Sequence, residues 1–148
     1  AMALAQVAGA TAEEIRTAMA TFAGVDRRFD FQIKTDRLVF LSDYAHHPKE
    51  IYQSAKSLKE LYHNRKVTAI FQPHLYTRTR DFADDFAAAL SKVDKLILLD
   101  IYPAREEPIP GVTSEIIFDK VTAPEKVMLH KEELMELQLF QFIGNSFL

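Results

Sequence analysis

Segments with a helical spacing of apolar residues alternate along the chain with short apolar runs. In the first segment, TAEEIRTAMATF, Thr11 and Glu14 match the pattern of a capping box. Three apolar residues follow at helical spacing and predict one buried face: Ile15, Met19 and Phe22. We expect Gly24 to end this helix, since glycine tolerates a positive φ.

A β-hairpin and a second helix are predicted next. The runs FDFQIKT (29–35) and RLVFLSDY (37–44) are rich in β-forming residues and are separated only by Asp36. Pro48 suits the first turn of a helix, where its missing N–H is not needed. The helix that follows has an apolar stripe formed by Ile51, Ala55, Leu58 and Leu61.

The remaining segments alternate between strand and helix. KVTAIFQ (66–72) and KLILLDIY (95–102) have the composition of buried parallel strands. Between them, a polar stretch leads into a helix with one apolar face: Phe82, Phe86, Leu90 and Val93. TSEIIFDKV, EKVMLH and KEELMELQLF continue as helix, strand and helix. This order predicts an α/β protein with a doubly wound, mostly parallel sheet flanked by helices, preceded by a β-hairpin.

Composition narrows the class of protein. A chain of 148 residues with 48% apolar and 26% charged residues suits one globular domain. A net charge of -3 gives no general reason to expect nucleic-acid binding. No signal peptide is visible, nor any stretch near the roughly 18 apolar residues that span a membrane. The absence of cysteine excludes disulfide and thiolate chemistry and fits a cytoplasmic protein.

Polar residues concentrate in three loops that follow predicted strands: DYAHHP, QPHLYTRTR and DIYPAREEPIPG. Together these loops contain three of the five histidines. Ligands of parallel α/β sheets bind at the carboxyl ends of the strands, where such loops begin. We therefore expect a ligand site here.

The histidine pair in DYAHHP has two interpretations. His46 and His47 could bind a metal, but adjacent histidines in a loop point apart, and no Cys or HExxH pattern accompanies them. Alternatively, Asp43 or His47 caps the helix that begins at Pro48, which is a common role. The spacing favours the cap, and no metal ligand is predicted.

The arginines of PHLYTRTR also have two interpretations. Arg78 and Arg80 stand where a strand gives way to a helix, and an arginine fork holds carboxylates or phosphates well. The N–H groups at a helix N-terminus would add to such an anion site. Equally, the arginines could pair with acidic residues in the next helical turns: Asp81, Asp84 or Asp85. The sequence does not separate the two.

The proline-rich segment PAREEPIPG predicts a loop of fixed shape. It could line a pocket, although a pair such as Glu106 and Glu107 is usually solvated surface. Arg27 and Arg28 could serve a phosphate or simply flank a strand. Neither GxGxxG nor GxxxxGK[ST] occurs, so the main cradle for any nucleotide phosphates must lie elsewhere.

Four motifs in this order carry a family resemblance: RRFD (27–30), SDYAHHP (42–48), FQPHLYTRTRDF (71–82) and DIYPAREEPIPGVTSE (100–115). Over about residues 1–135 the chain resembles the C-terminal domain of the Mur ligases of peptidoglycan synthesis, in their alanine-adding branch. The resemblance implies a Rossmann-like domain at 25–148. It also implies that residues 1–24 form a helical segment from the end of the family's central ATPase domain.

The same resemblance implies a function. The whole ligase would use ATP and Mg²⁺, bound mainly by the central domain, to form an acyl phosphate on UDP-N-acetylmuramate. L-alanine would then attack this acyl phosphate, in a reaction that serves cell wall biogenesis and through it cell shape and division. The chain would work with the ligase's central and N-terminal domains in the cytoplasm. Without the phosphate loop, we expect it to be inactive alone.

The family's site residues are carried over by position. Arg28 would lie near the phosphates of ATP and Asp43 on its ribose hydroxyls. Tyr44 and His46 would line the amino-acid side of the cleft. His74 and Arg78 would face the amino-acid and muramoyl carboxylates. The resemblance thus implies catalytic roles for His46, His74 and Arg78, and a substrate-binding or ion-pair role for Arg80.

Three departures from the family pattern stand out. Leu75 replaces an arginine that many members have, Ser42 replaces an aspartate, and the tail from about residue 136 matches no family segment. Three alternative functions also stay open. They are a ligase that adds a murein peptide to the same sugar, a non-catalytic anion-binding module, and a metal hydrolase using His46 and His47.

Overall fold

The computed structural model describes residues 2–22 and 24–136, and the chain divides into two compact units. The first unit, Ala1–Asp43, contains two helices and a hairpin. The second unit, Tyr44–Leu148, contains a parallel sheet with helices around it. The predicted boundary near residue 24 came from the family resemblance, whereas this division at Asp43 reflects which residues form a compact unit. The domain assignment therefore stays a prediction.

The helices of the first unit are α1 (Met2–Val7) and α2 (Ala12–Ala20). The predicted capping box is confirmed, because the Glu14 N–H donates to Thr11 Oγ1 while Glu14 Oε2 accepts the Thr11 N–H. The predicted buried face is wrong: α2 has no buried residue, and Met19 and Phe22 are 47% and 57% exposed. Gly24 has a positive φ as expected but lies beyond the helix end at Ala20.

The predicted hairpin is confirmed. Strands β1 (Asp30–Lys34) and β2 (Val39–Ser42) pair antiparallel, with Asp30 opposite Ser42. The turn is closed by Thr35, whose N–H donates to the Leu38 carbonyl and whose hydroxyl oxygen accepts the Leu38 N–H. The open end of the hairpin therefore holds the segments that lead to RRFD and to DYAHHP.

The second unit is built on three parallel strands in the order β3 (Thr68–Phe71), β4 (Lys95–Leu99), β5 (Glu125–Leu129). Its helices are α3 (Pro48–Leu61), α4 (Tyr76–Asp81), α5 (Ala83–Leu90), α6 (Glu115–Phe118) and α7 (Lys131–Glu136). The α/β class, the parallel sheet flanked by helices and the preceding hairpin agree with the prediction. Each strand is followed by a loop and helix, as the alternation in sequence indicated.

The core of this unit lies between the sheet and helices α3, α5 and α6. The central strand β4 is buried from Leu96 to Leu99, which explains its continuous apolar run. The predicted apolar face of the segment 82–93 is largely confirmed, since Phe86, Leu90 and Val93 are buried. In α3 the stripe ends early: Leu61 was predicted to be buried and is 59% exposed.

Two further predictions need comment. The polar stretch before Phe82 was expected to lead into a helix, but residues 76–81 form helix α4 themselves. The atypical tail lies almost wholly outside the described residues. Within the described ranges, no helix is long and apolar enough to cross a membrane.

Candidate functional site: the strand ends of the parallel sheet and the open end of the hairpin

The loops that leave β3 and β4 are joined where the strands end. His74 and Tyr102 form a parallel β-bridge, and their rings stack with centroids 5.5 Å apart. The Leu75 N–H donates to the Tyr102 carbonyl at 3.0 Å, and the Tyr102 N–H donates to the Pro73 carbonyl at 2.8 Å. The sheet thus brings QPHLYTRTR and DIYPAREEPIPG together at one edge, as predicted.

Leu75 makes the turn from this bridge into α4. It has a φ of 73°, a left-handed value that is uncommon for a residue with a side chain. Its carbonyl accepts both the N–H and the hydroxyl of Thr79, which is fully buried. The backbone is therefore held in this conformation by partners on both sides of Leu75.

One turn along α4, Arg78 carries an unsatisfied donor. Its Nη1 atom is buried and has no hydrogen-bond partner in the described part of the chain. A buried donor that gives up water without gaining an acceptor costs about 1–3 kcal/mol, and more when charged. The geometry of Arg78 therefore suits an anionic ligand, the first of the two interpretations from sequence. In the described part of the chain, Arg78 forms no ion pair with Asp81, Asp84 or Asp85.

Arg80 behaves differently from Arg78. Its Nε donates to Asp81 Oδ1 at 2.8 Å, and both side chains are about half exposed. The hydrogen bond and the negative charge of Asp81 raise the pKa of Arg80. The ion pair that was one of its two predicted roles is thus present, whereas a ligand-binding role for Arg80 stays a prediction.

Glu106 lies against the first turn of α4. Its Oε2 accepts the Thr77 N–H at 2.9 Å and its Oε1 accepts the Thr77 hydroxyl at 2.5 Å. Of the two interpretations that the sequence left open, solvated surface does not describe Glu106, because both of its carboxylate oxygens bind Thr77. This contact also occupies a backbone donor that the sequence had assigned to an incoming anion.

His74 stands among charged groups. Burial, followed by the positive charges of Arg78 and His46, holds the pKa of His74 below its ordinary value of 6.5, while Glu106 acts in the opposite direction. The lowered pKa makes His74 a neutral imidazole at neutral pH. A neutral ring can accept a proton or a hydrogen bond, which an imidazolium cannot do.

His46 and Tyr44 lie just before α3. The rings of the two residues meet edge to face at 5.2 Å, and His46 Nδ1 lies 2.9 Å from the Tyr44 carbonyl. Because a carbonyl only accepts, His46 donates from Nδ1. In the neutral form of the ring, Nε2 is then the acceptor nitrogen.

His47 starts α3, which is the predicted capping role. Its Nδ1 accepts the Lys49 N–H, and its own N–H donates to Glu50, completing a capping box. Its ring packs on Phe82 at 5.2 Å. Among the residues that the structure describes, no group of three or more His, Asp or Glu side chains could hold a metal ion.

Arg28 and Asp43 belong to the first unit and flank the two strands at the open end of the hairpin. The pairing of Asp30 with Ser42 places Phe29 beside Asp43, and the Phe29 N–H donates to Asp43 Oδ1 at 3.3 Å. Arg27 and Phe29 both have a positive φ, of 58° and 49°. The hairpin register thus places Asp43 beside Phe29, the residue that follows Arg28.

The structure therefore assembles the predicted residues in two groups. His74 and Arg78 share the sheet edge, with Tyr44 and His46 in the loop before α3, whereas Arg28 and Asp43 share the hairpin end. Sequence reasoning missed Tyr102 and the contact of Glu106 with Thr77. The available signal was their position in the loop after β4, since that loop must border the one after β3.

The chain is similar to known proteins over most of its length. Residues 27–140 match the family model described as the glutamate ligase domain of Mur ligases. UDP-N-acetylmuramate–L-alanine ligases from Parabacteroides distasonis and Flavobacterium johnsoniae are 66% and 51% identical to the chain over 137 and 135 residues. These matches cover 93% and 91% of the chain but 30% of each relative.

Solved structures agree with these sequence relatives. The UDP-N-acetylmuramate–alanine ligase of Thermotoga maritima superposes with a TM-score of 0.72 at 27% identity, over 92% of this chain and 29% of that one. A murein peptide ligase from Psychrobacter arcticus shares the fold, with a TM-score of 0.59 at 21% identity over 90% of this chain and 28% of that one. The chain spans about 30% of the length of the curated relatives it matches. From the model match and these identities, the chain belongs to the Mur ligase family, as its C-terminal ligase domain.

Proposed function

We propose that the chain is the C-terminal domain of an ATP-dependent ligase that joins L-alanine to UDP-N-acetylmuramate in peptidoglycan synthesis. The names of relatives that are up to 66% identical support alanine as the added group, in preference to a murein peptide. The observation that carries the proposal is the buried, unpartnered Nη1 of Arg78 beside His74, because it suits a carboxylate. The other domains of the ligase would supply the remainder of the site.

Each residue of the sheet edge then has a task. Arg78 would hold a substrate carboxylate and counter the charge that develops as the amino group attacks the acyl phosphate. His74 and His46 would accept protons or hydrogen bonds from the attacking amine, since both can present a neutral nitrogen. Tyr44 would line the cleft beside His46. Arg80 would support the site through its pair with Asp81.

The nucleotide side is divided between this chain and the remainder of the ligase. We propose that Arg28 approaches the phosphates of ATP and that Asp43 binds the ribose hydroxyls. Among the described residues, no group of three or more His, Asp or Glu side chains could hold a metal ion. We propose that the central domain supplies the Mg²⁺ site and most of the phosphate contacts, and that the ligase works in the cytoplasm.

We also propose that residues 1–24 continue from the central domain. The support is the apolar face formed by Met19 of α2 and Phe22 just beyond the helix, both of which are exposed within this chain. Such a face is buried in most globular proteins by a packing partner.

The test uses the intact ligase that contains this chain, assayed by phosphate release with UDP-N-acetylmuramate, L-alanine, ATP and Mg²⁺. Arg78→Lys removes the planar fork and should raise the KM for L-alanine about tenfold or more, with the KM for ATP nearly unchanged. Asp43→Ala should raise the KM for ATP and leave the KM for L-alanine nearly unchanged. Arg105→Lys, an exposed arginine in the loop after β4, is the matched control and should change neither constant.

Different results would contradict different parts of the proposed function. If Arg78→Lys leaves the KM for L-alanine unchanged, the assignment of the carboxylate site is wrong. If the wild-type ligase consumes no L-alanine, the proposed reaction is wrong and an anion-binding module takes its place. The 148-residue chain alone should release no phosphate.

A further inference from the structure

The loop after β4 is hydrogen-bonded to the start of α4 at two points. At the first, Tyr102 pairs with His74 through the β-bridge and accepts the Leu75 N–H. At the second, both carboxylate oxygens of Glu106 bind Thr77. The segment between these points immediately precedes Arg78, so its freedom to move is small.

The position of Glu106 is itself held within the loop. Its N–H donates to the Pro103 carbonyl at 3.0 Å, closing a turn in which Ala104 has a φ of 53°. Proline restricts the backbone of this turn. A rigid turn that carries a carboxylate to Thr77 is suited to fixing the position of α4.

By its charge alone, Glu106 would weaken the binding of an anion at Arg78. The hydrogen bonds from the Thr77 hydroxyl and N–H, together with the charge of Arg78, lower the pKa of Glu106, so its carboxylate is ionised at neutral pH. A negative charge near Arg78 opposes the binding of a second carboxylate. Any favourable contribution of Glu106 to ligand binding must therefore come from geometry.

We propose that Glu106 is a positioning residue for the carboxylate site: by holding Thr77 it keeps Arg78 oriented toward the ligand, next to His74. This inference rests on the proposed function, because it takes Arg78 as the carboxylate ligand. Glu106 does not itself touch the reacting atoms. The two possible effects of its removal have opposite signs, which makes the inference testable.

Three variants of the intact ligase separate the effect of the hydrogen bonds from Thr77 to Glu106 from the effect of the negative charge of Glu106. Glu106→Gln keeps a shape that can bind Thr77, with the amide oxygen accepting its N–H and the amide nitrogen donating to its hydroxyl, but removes the charge. Glu106→Ala removes both. Glu107→Ala alters the adjacent exposed glutamate and is the matched control.

We expect Glu106→Ala to raise the KM for L-alanine about tenfold and Glu106→Gln to raise it less than about threefold, with the KM for ATP within about twofold of wild type in both. Glu107→Ala should match wild type. In the 148-residue chain, the NMR titration midpoint of His74 should fall in both Glu106 variants, because both lose the charge that raises the pKa of His74.

Several results would overturn the inference. They are an unchanged or lower KM for L-alanine in Glu106→Ala, an unchanged His74 midpoint in Glu106→Gln, or an equal rise in both KM values with a lower melting temperature. The last would indicate a merely structural role. A wild-type ligase that does not use L-alanine would overturn the proposed function together with this inference, whereas the other results leave that function intact.

Discussion

His46 and His47 are adjacent in sequence, but their rings make different contacts. His46 Nδ1 donates to the Tyr44 carbonyl, whereas His47 Nδ1 accepts the Lys49 N–H at the start of α3. The difference arises because His47 is the N-cap of α3, which begins at Pro48, whereas His46 still belongs to the preceding loop. A pair that suggests a metal site in sequence is divided between a candidate site and a cap.

Two other histidines at the strand ends should titrate on opposite sides of their ordinary pKa. Burial lowers the pKa of His74, whereas the hydrogen bond and charge of Asp100 raise the pKa of His130, whose Nδ1 lies 2.5 Å from Asp100 Oδ2. We expect NMR titration of the chain to give a midpoint below 6.5 for His74 and above 6.5 for His130. Asp100→Asn should return only His130 toward 6.5.

The sign of each contribution to stability follows from linkage. His74 has a lowered pKa, so its contribution is present above pH 6.5 and is lost as the pH falls through the folded value. His130 has a raised pKa, so its contribution is present below pH 6.5 and is lost as the pH rises through the folded value. A His130 midpoint below that of His74 would contradict at least one of the two assignments.

At the scale of elements, helix α3 begins at a fully formed cap. Glu50 accepts the N–H groups of both His46 and His47, at 3.0 and 3.1 Å, and Pro48 occupies the first turn. This cap fixes where the loop ends and the helix begins, and so sets the direction in which His46 leaves the backbone. Local stability and the geometry of the candidate site are coupled here.

Glu50→Ala should lower the free energy of unfolding by about 1 kcal/mol, because two backbone N–H groups lose their acceptor. Glu60→Ala is the control in the same helix. Its exposed pair with Lys56, at 3.8 Å, should contribute no more than about 0.5 kcal/mol. Denaturant unfolding of the 148-residue chain measures both, and equal losses in the two variants would show that the cap contributes nothing beyond a surface charge.

At the scale of the whole molecule, the two units differ in how much they bury. The second unit has a continuous core around β4, in which Leu96 and Leu98 are fully buried. Among the described residues of the first unit, none falls in the buried class. A two-stranded hairpin without a core is marginally stable in water, so the two units should differ in local stability.

Hydrogen exchange should reveal this difference. In the 148-residue chain we expect the amides of β4 to be protected at least about 100-fold more than those of the hairpin strands β1 and β2. Leu98→Ala should reduce protection in the sheet, since a buried leucine truncated to alanine typically costs about 2–5 kcal/mol. The same variant should leave the hairpin amides unchanged, and uniform protection across both units would contradict the division.

Much of the local structure followed from the sequence. The capping box at Thr11, the helix cap before Pro48, the hairpin around Asp36 and the strands of the sheet all depend on residues within a few positions of one another. Propensity, periodicity and side-chain capping act over that range, so they can be identified without the fold. The candidate residues of the strand-end loops were found for a related reason, since parallel sheets place such loops at one edge.

Only the tertiary structure decided which faces are buried and which groups meet. Met19, Phe22 and Leu61 were predicted to be buried but are exposed in the described part of the chain. No pattern in their own segments indicates this exposure. The contact between Glu106 and Thr77 spans 29 residues, and the unpartnered Nη1 of Arg78 depends on everything packed around it. Burial and pairing across such distances are properties of the assembled fold, because each depends on surfaces that distant segments bring together.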